Sequence, residues 1–478
     1  MSFRTATRTG ASDPNSTNTR SKSKAKRLMF RVVLPIVSVG ALVAAVLIAN
    51  FANHVATPKT SSSESSAYKA PLSNTKCLSE FKVTCYTPAQ YQTAYDLTDL
   101  YNGKATGHPI TGAGETIVIL VPYGSPTIRN DLRVFDAKFK LPDPSLTIDQ
   151  FGKIPPFSPN DVLMAGSAQE ATLAVEYSHV VAPGANIVLA ETAVEATVGA
   201  VGVPQLMNAQ ESLINKGIGD VFLETINTAE NSFPGFSSGN YSSLLNLRYA
   251  IKDAYTHHAT VIAPSGDTGV TQTEVMAPPW PTFKYKVGTW PATDPLVTAV
   301  GGTAVRLDAS GDRLSPDVAW NNFWGASGGG PSAIFSRPQY QNAVAGVVGS
   351  HRGSPDISLS ASPGCWGYYS FPGYTGPGWH ILGGSTEAAP IMAGIVALAN
   401  QLAGHRLGLI NPALYKLAER QQAGNQGTGV VSVTSGNNSF GGVTGYRAGP
   451  GYNMDTGWGT IDAAKFVPAL VRQASAGS

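Results

Sequence analysis

Leu382 to Gly404 reads LGGSTEAAPIMAGIVALANQLAG. Two glycines lead into a Ser-Thr-Glu triplet, then a turn of small residues, a proline and an apolar segment of helical length. Proline costs nothing at the start of a helix, where the first amide donors have no intrahelical acceptor. The run after it is apolar nearly all round, so it is expected to form a central helix buried on every side. A hydroxyl at the mouth of such a helix sits near the positive end of its dipole, a good place to build a nucleophile. Ser385 and Thr386 are the candidates.

Upstream, short apolar runs alternate with helical segments. Thr116 to Val121 is continuously apolar, as in a strand buried on both faces. Ile128 to Phe139 and Ala168 to Val180 read as helices, and Asn186 to Ala190 as a strand. Ser212 to Lys216 ends a helix before a strand at Asp220 to Leu223, and Leu244 to His258 is a helix before a strand at Thr260 to Ala263. This alternation predicts an α/β fold with a mainly parallel central sheet and helices on both faces. Right-handed crossovers then gather functional loops at the strands' carboxyl ends.

Gly383-Gly384-Ser385-Thr386-Glu387-Ala388-Ala389-Pro390 resembles the nucleophile string of the sedolisin family, the serine-carboxyl peptidases with a subtilisin-like fold. That string is G-G-T-S, then small residues and proline. Counted back from Pro390, Thr386 holds the nucleophile position and Ser385 precedes it. Ser265-Gly266-Asp267-Thr268-Gly269 is similar to the family's S-S-G-D-x-G, and Trp290 to Pro295 with Val300 to Thr303 to its P-A-S-S-P and V-G-G-T. Gly328-Gly329-Gly330, Arg337-Pro338, Tyr340-Gln341 and Pro355-Asp356-Ile357-Ser358 fit as well. The resemblance spans about Tyr86 to Leu470 and implies a subtilisin-like architecture.

It also implies roles. The family uses a serine nucleophile, a glutamate base, an aspartate four residues on that supports the base, and a second aspartate in the oxyanion hole. Four residues is one helical turn, so base and support share a face. In Glu170-Ala171-Thr172-Leu173-Ala174-Val175-Glu176, Glu170 takes the base's position, and Ala174, which carries no proton, takes the aspartate's. At roughly 100° per residue, Glu176 lies about 240° and His179 about 180° round the helix from Glu170, so neither replaces it. Asp267 matches the oxyanion aspartate, which donates a hydrogen bond only when protonated; a turn aspartate satisfying backbone amides is the plain alternative. Thr386 keeps a hydroxyl but adds a β-methyl that restricts χ1 and crowds a scissile carbonyl. Glu387 adds a carboxylate whose charge is expected to repel Glu170 or an oxyanion.

Two further sites depart from the family. Its Ser-x-Ser-aromatic-Gly run lines the specificity pocket; here it reads Leu223-Glu224-Thr225-Ile226-Asn227-Thr228-Ala229-Glu230, and Asn227 replaces the glycine that admits peptide backbone. The family's C-terminal calcium site uses two aspartates and backbone carbonyls. The matching positions are Ser432, Val433, Gly449, Gly451 and Asn453, without either carboxylate, and Asp455 stands nearby. Ahead of Tyr86 a basic tail, an anchor and a tether are expected, rather than the large N-terminal pro-segment that the resemblance implies.

The N-terminal region is of another kind. Residues 1–31 are polar and basic and read as a cytoplasmic tail. Val32 to Ala49 is uncharged and mostly apolar, close to the roughly 17–25 residues that span a bilayer, and residues 32–51 are expected to form a single transmembrane helix with the N-terminus inside. A cleaved signal peptide is the alternative, giving a secreted protein. Residues 52–85 read as a Ser/Thr-rich tether, with a disulfide expected between Cys77 and Cys85 in an oxidising compartment, and residues 86–478 as the peptidase-like domain. Cys365 reads as a buried free thiol. Net charge is only +2, so no nucleic-acid partner is implied.

With two of three triad positions altered, where comparable losses cost roughly 10⁴–10⁶ in rate, the expectation is an extracytoplasmic peptidase homologue that binds a peptide or protein without turning it over. An active acid endopeptidase using Thr386 or Ser385 with Glu170 and Asp267 is the alternative, and a structural cell-surface component a third.

Overall fold

The computed structural model describes residues 67–194, 201–274, 281–362, 364–372 and 376–476. The expected basic tail and apolar anchor lie outside these residues. No helix among the described residues is long and apolar enough to cross a membrane.

The sheet is built from β1 (Thr116–Pro122), β2 (Leu146–Phe151), β3 (Asn186–Thr192), β4 (Val221–Glu224), β5 (Thr260–Pro264), β6 (Thr298–Ala304) and β8 (Ile357–Ser360), with the short β7 (Val318–Ala319) antiparallel on β6. The order is β8-β6-β5-β4-β1-β3-β2, and every neighbouring pair on that path is parallel. The chain runs outward from β1 to β2 and β3 on one side, then to β4, β5 and β6 on the other. The reversal leaves a crevice at the strands' carboxyl ends, the usual place for a ligand in such sheets.

β1 is apolar at nearly every position because it feeds two cores. Ile117, Ile119 and Val121 join the cluster containing α3 (Val162–Val181) and α6 (Ser385–Ala403). Val118 and Leu120 join the cluster containing α4 (Val203–Asn215) and α5 (Tyr249–Thr256). α3 and α6 approach closely at Gly394, where a Cβ would come 2.7 Å from the Val181 Cβ.

Several boundaries differ from the sequence reading. α3 starts at Val162, not Ala168, because the Asp161 carboxylate caps the amides of Leu163 and Met164. α6 starts at Ser385, so Pro390 lies inside it, one turn beyond Thr386. The helix expected over Leu244 to His258 breaks into Ser242–Leu245, a 3-10 turn at Asn246–Arg248, and α5. Arg248, at the break, reaches Asp294 with two charge-assisted hydrogen bonds of 2.5 and 2.9 Å. β2 carries no apolar-run signal because two of its six residues are exposed and none is buried.

The tether also ends earlier than expected. α1 (Asn74–Phe81) lies within it, and the Cys77–Cys85 disulfide is formed and buried. Tyr68 exchanges two backbone hydrogen bonds with Trp379 in the hairpin of β9 (Cys365–Tyr369) and β10 (Gly378–Leu382), and its ring packs edge-on against Trp366. Residues 67–85 are thus part of the domain, held by aromatic packing that a polar composition did not reveal. Cys365 is a buried free thiol.

Candidate functional site

The first turn of α6 and the loop after β5 form the centre of the site. Gly384, φ +112°, precedes the helix, and a Cβ there would come 2.5 Å from Asp267 Oδ2 and 3.1 Å from Thr386 Oγ1. Only glycine lets this carboxyl and this hydroxyl border the same small space. Ser385 donates its amide (2.7 Å) and its hydroxyl (2.6 Å) to Asp267 Oδ1, and Ser385 Oγ accepts the Gly266 amide at 3.2 Å. Fully buried and engaged on both sides, the Ser385 hydroxyl acts as a clamp on Asp267 and is not available for attack. Asp267 Oδ2 has no hydrogen-bond partner among the described residues. Burial lifts the Asp267 carboxyl to about 6, against the pull of the two Ser385 donors, so in acid it can donate a hydrogen bond from Oδ2.

Thr386 is 8% exposed, whereas Ser385 is fully buried. Glu387 turns the other way. It is buried in the core among Tyr91, Ser360 and Cys365, and burial pushes its carboxyl up to about 8. The expected repulsive charge is therefore absent at neutral and acid pH; the neighbour of Thr386 is a protonated core acid.

On α3, Glu170 is 5% exposed and Ala174, one turn on, is buried. Ala174 brings a methyl group to that point. The acids further along the helix serve other faces. Glu176 is fully buried and accepts the Tyr368 amide at 3.2 and 3.4 Å, on β9. His179 Nε2 lies 2.7 Å from the Pro142 carbonyl and 3.4 Å from Asp136, and burial lowers the imidazole to about 4.

The segment after β4 is closed by a residue that the motifs did not flag. Gln272 donates to Asn227 Oδ1 at 2.9 Å and to the Asn227 carbonyl at 3.3 Å, while its own oxygen accepts from Thr268 and Thr273. Asn227 is thereby locked into the wall. Glu230 is structural, accepting from the Ser332 hydroxyl at 2.5 Å and the Ala333 amide at 2.7 Å. Gln272 lies 45 residues from Asn227, so no local signal could have paired them.

The positions matched to calcium do not fit that ion. Ser432 is exposed and Val433 offers a buried apolar side chain. The Gly449 and Gly451 carbonyls converge on Asn453 Nδ2 at 3.3 and 3.5 Å. Asn453 Oδ1 accepts the amides of Asp455 (3.1 Å) and Thr456 (2.8 Å), and these fixed donors set which end of the side chain faces the carbonyls. An amide group stands where a cation would draw the carbonyls together. Asp455, the carboxylate nearby, is raised by burial to about 8 and is neutral at pH 7. Asn453→Asp should remove this donor and set a carboxylate against two carbonyls. The expected outcome is a melting temperature several degrees lower without calcium and partly restored by millimolar calcium, while the parent responds to neither calcium nor chelator. A parent destabilised by chelator would contradict the assignment.

No protein-family model matches the chain. Kumamolisin from Bacillus sp. (strain MN-32) is 29% identical over 406 residues, which cover 82% of this chain and 65% of kumamolisin. Sedolisin from Pseudomonas sp. (strain 101) is 34% identical over 213 residues, 43% of this chain and 34% of that protein. Tripeptidyl-peptidase 1 of Mus musculus is 31% identical over 240 residues, 45% of this chain and 37% of that protein. The chain thus spans less than two thirds of the length of each of these curated relatives. Among solved structures, Pseudomonas sedolisin, a serine-carboxyl proteinase complexed with pseudo-iodotyrostatin, aligns with TM-score 0.66 at 25% identity over 81% of this chain and 98% of that one.

Proposed function

This chain belongs to the sedolisin family of serine-carboxyl peptidases, and from that premise we propose that it is a catalytically impaired member that binds peptide or protein segments in the crevice between α3 and α6. The observation that carries the reading is Ala174. In the family that the chain resembles, an aspartate one turn on from the glutamate base completes the proton relay from hydroxyl to leaving amine. Here the residue one turn away is a buried methyl. Thr386 supports the same reading, because a β-methyl restricts χ1 of the hydroxyl at the nucleophile position. The apolar run at Val32 to Ala49, behind a basic stretch, supports placing the domain on the outer face of a membrane as a single-pass protein.

One observation favours the alternative of an acid endopeptidase. Asp267 Oδ2 and Thr386 Oγ1 both lie within about 3 Å of the point a Cβ on Gly384 would take, and the carboxyl is protonated below about pH 6, as an oxyanion donor must be. The two readings separate in one assay. The purified full-length chain, given a mixed peptide library at acid pH, is expected to show no cleavage above the blank and no change on Glu170→Ala. Robust cleavage that Glu170→Ala abolishes would refute the impaired reading. Peptides that bind uncut should raise the melting temperature in proportion to their occupancy.

A further inference from the structure

At the same edge of the sheet, beyond β1 as seen from Asp267, a cavity of about 310 Å³ is lined by Ser125, Ile148, Gln150, Phe157, Met164 and Glu191 among others. Its polar end is a carboxylate. Glu191, near the end of β3, is 4% exposed and takes a hydrogen bond from Gln150 Nε2 at 3.0 Å. Gly124 makes this possible: a Cβ there would fall 1.8 Å from Glu191 Oε1, and its φ is +71°. The turn after β1 is thus shaped around the carboxyl group. Among the described residues no Lys, Arg or His forms an ion pair with Glu191. Ser125 Oγ, in the same lining, is buried and has no hydrogen-bond partner among the described residues. The opposite walls are the apolar side chains of Ile148, Phe157 and Met164.

A buried carboxylate fixed by donors but lacking a cation, a free hydroxyl beside it and apolar walls leading to both make a defined receptor. It suits a group with a hydrocarbon stem and a positively charged, multi-donor head. We propose that this cavity receives a lysine or arginine side chain of the bound peptide, with the head on Glu191 and Ser125 and the methylenes along Ile148, Phe157 and Met164. The inference rests on the peptide-binding reading above and adds a specificity to it. Burial raises the empty carboxyl above its usual range, and an arriving cation would reverse that shift. The position relative to Asp267 is consistent with one extended ligand. β5 and β3 are three strand spacings apart in the order β5-β4-β1-β3, about 14 Å, which an extended peptide covers in about four residues.

The test uses the full-length chain and three nine-residue alanine-based peptides that differ only in a central lysine, norleucine or glutamate. By fluorescence anisotropy the lysine peptide is expected to bind about tenfold tighter than the norleucine peptide, and the glutamate peptide weakest. Glu191→Gln should abolish the lysine preference, so that the lysine and norleucine peptides bind with about equal affinity. Equal affinity for lysine and norleucine, or a preference that survives Glu191→Gln, overturns the pocket while sparing peptide binding. Absence of binding by all three overturns both readings. Should Glu191→Gln fail to fold, competition on the parent replaces it: n-butylguanidinium should displace the lysine peptide and n-pentanol should not. Equal competition, or none, refutes the assignment.

Discussion

The triple variant Ala174→Asp, Ser385→Thr, Thr386→Ser is expected to hydrolyse peptides in acid at about 10³ times the rate of the parent, with each single change giving almost nothing. The asymmetry follows from how such residues work. A base, its supporting acid and the attacking hydroxyl act as one unit, so restoring one member leaves the chain of proton transfer broken. Ser at 386 removes the β-methyl and frees χ1 of the hydroxyl that lies near Gly384 with Asp267 Oδ2. Asp at 174 places a second carboxyl one turn from Glu170, where the two can share a proton. Thr at 385 retains a hydroxyl on Asp267 Oδ1. The gain should stop short of an efficient peptidase, because Asn227 remains locked by Gln272 in the segment that would admit substrate backbone. Initial rates on the peptide library decide the matter. A parent already as fast as the triple variant would show that Ala174 and Thr386 are no handicap.

Thermal stability is expected to fall steeply as pH rises from about 6.5 to about 8. Glu387 and Glu224 are raised by burial from 4.5 to about 8, and Asp455 from 3.8 to about 8. In this interval the unfolded chain has lost these protons and the folded chain has kept them, so each increment of pH favours unfolding. Three such groups change stability by up to about 4 kcal/mol per pH unit, or roughly 5 °C in Tm for a domain of this size. His179 and His380 are lowered by burial to about 4 and about 3 from 6.5, so acid protonates them first in the unfolded chain and offsets the carboxyls. Glu387→Gln should remove about a third of the slope between 7 and 8, above the range in which Glu115 and Asp136, raised by burial to about 7, hold their protons. Melting scans across that interval measure it; a Tm that rises with pH would show that these carboxyls are ionised in the folded state.

Much of this molecule is written locally in its sequence. β1 can be read as a doubly buried strand because Thr116 to Val121 is apolar without interruption. The one-turn relation of Glu170 to Ala174 needs only helix geometry, and the glycine strings give the family's order of loops. What escapes is set by distant partners. α6 begins at Ser385 because Asp267, 118 residues earlier, accepts the Ser385 amide. Glu387 turns inward among Tyr91, Ser360 and Cys365, none of which can be found from the residues beside it. The Asn453 amide facing two carbonyls depends on a loop closing on itself. The Glu191 cavity depends on three strands and the start of a helix meeting, with no motif to announce it.

The paired backbone bonds between Tyr68 and Trp379 decide how the domain answers a pull from its leading end. Tension arriving ahead of residue 67 meets those two bonds first and must part them before anything further unravels. Nine residues later it meets the covalent link between Cys77 and Cys85, which force of that kind does not open. The load then passes to the β9–β10 hairpin through Tyr86 and Cys365, rather than to α3 or α6 directly. Under such a pull the hem gives way while the start of α6 keeps its shape.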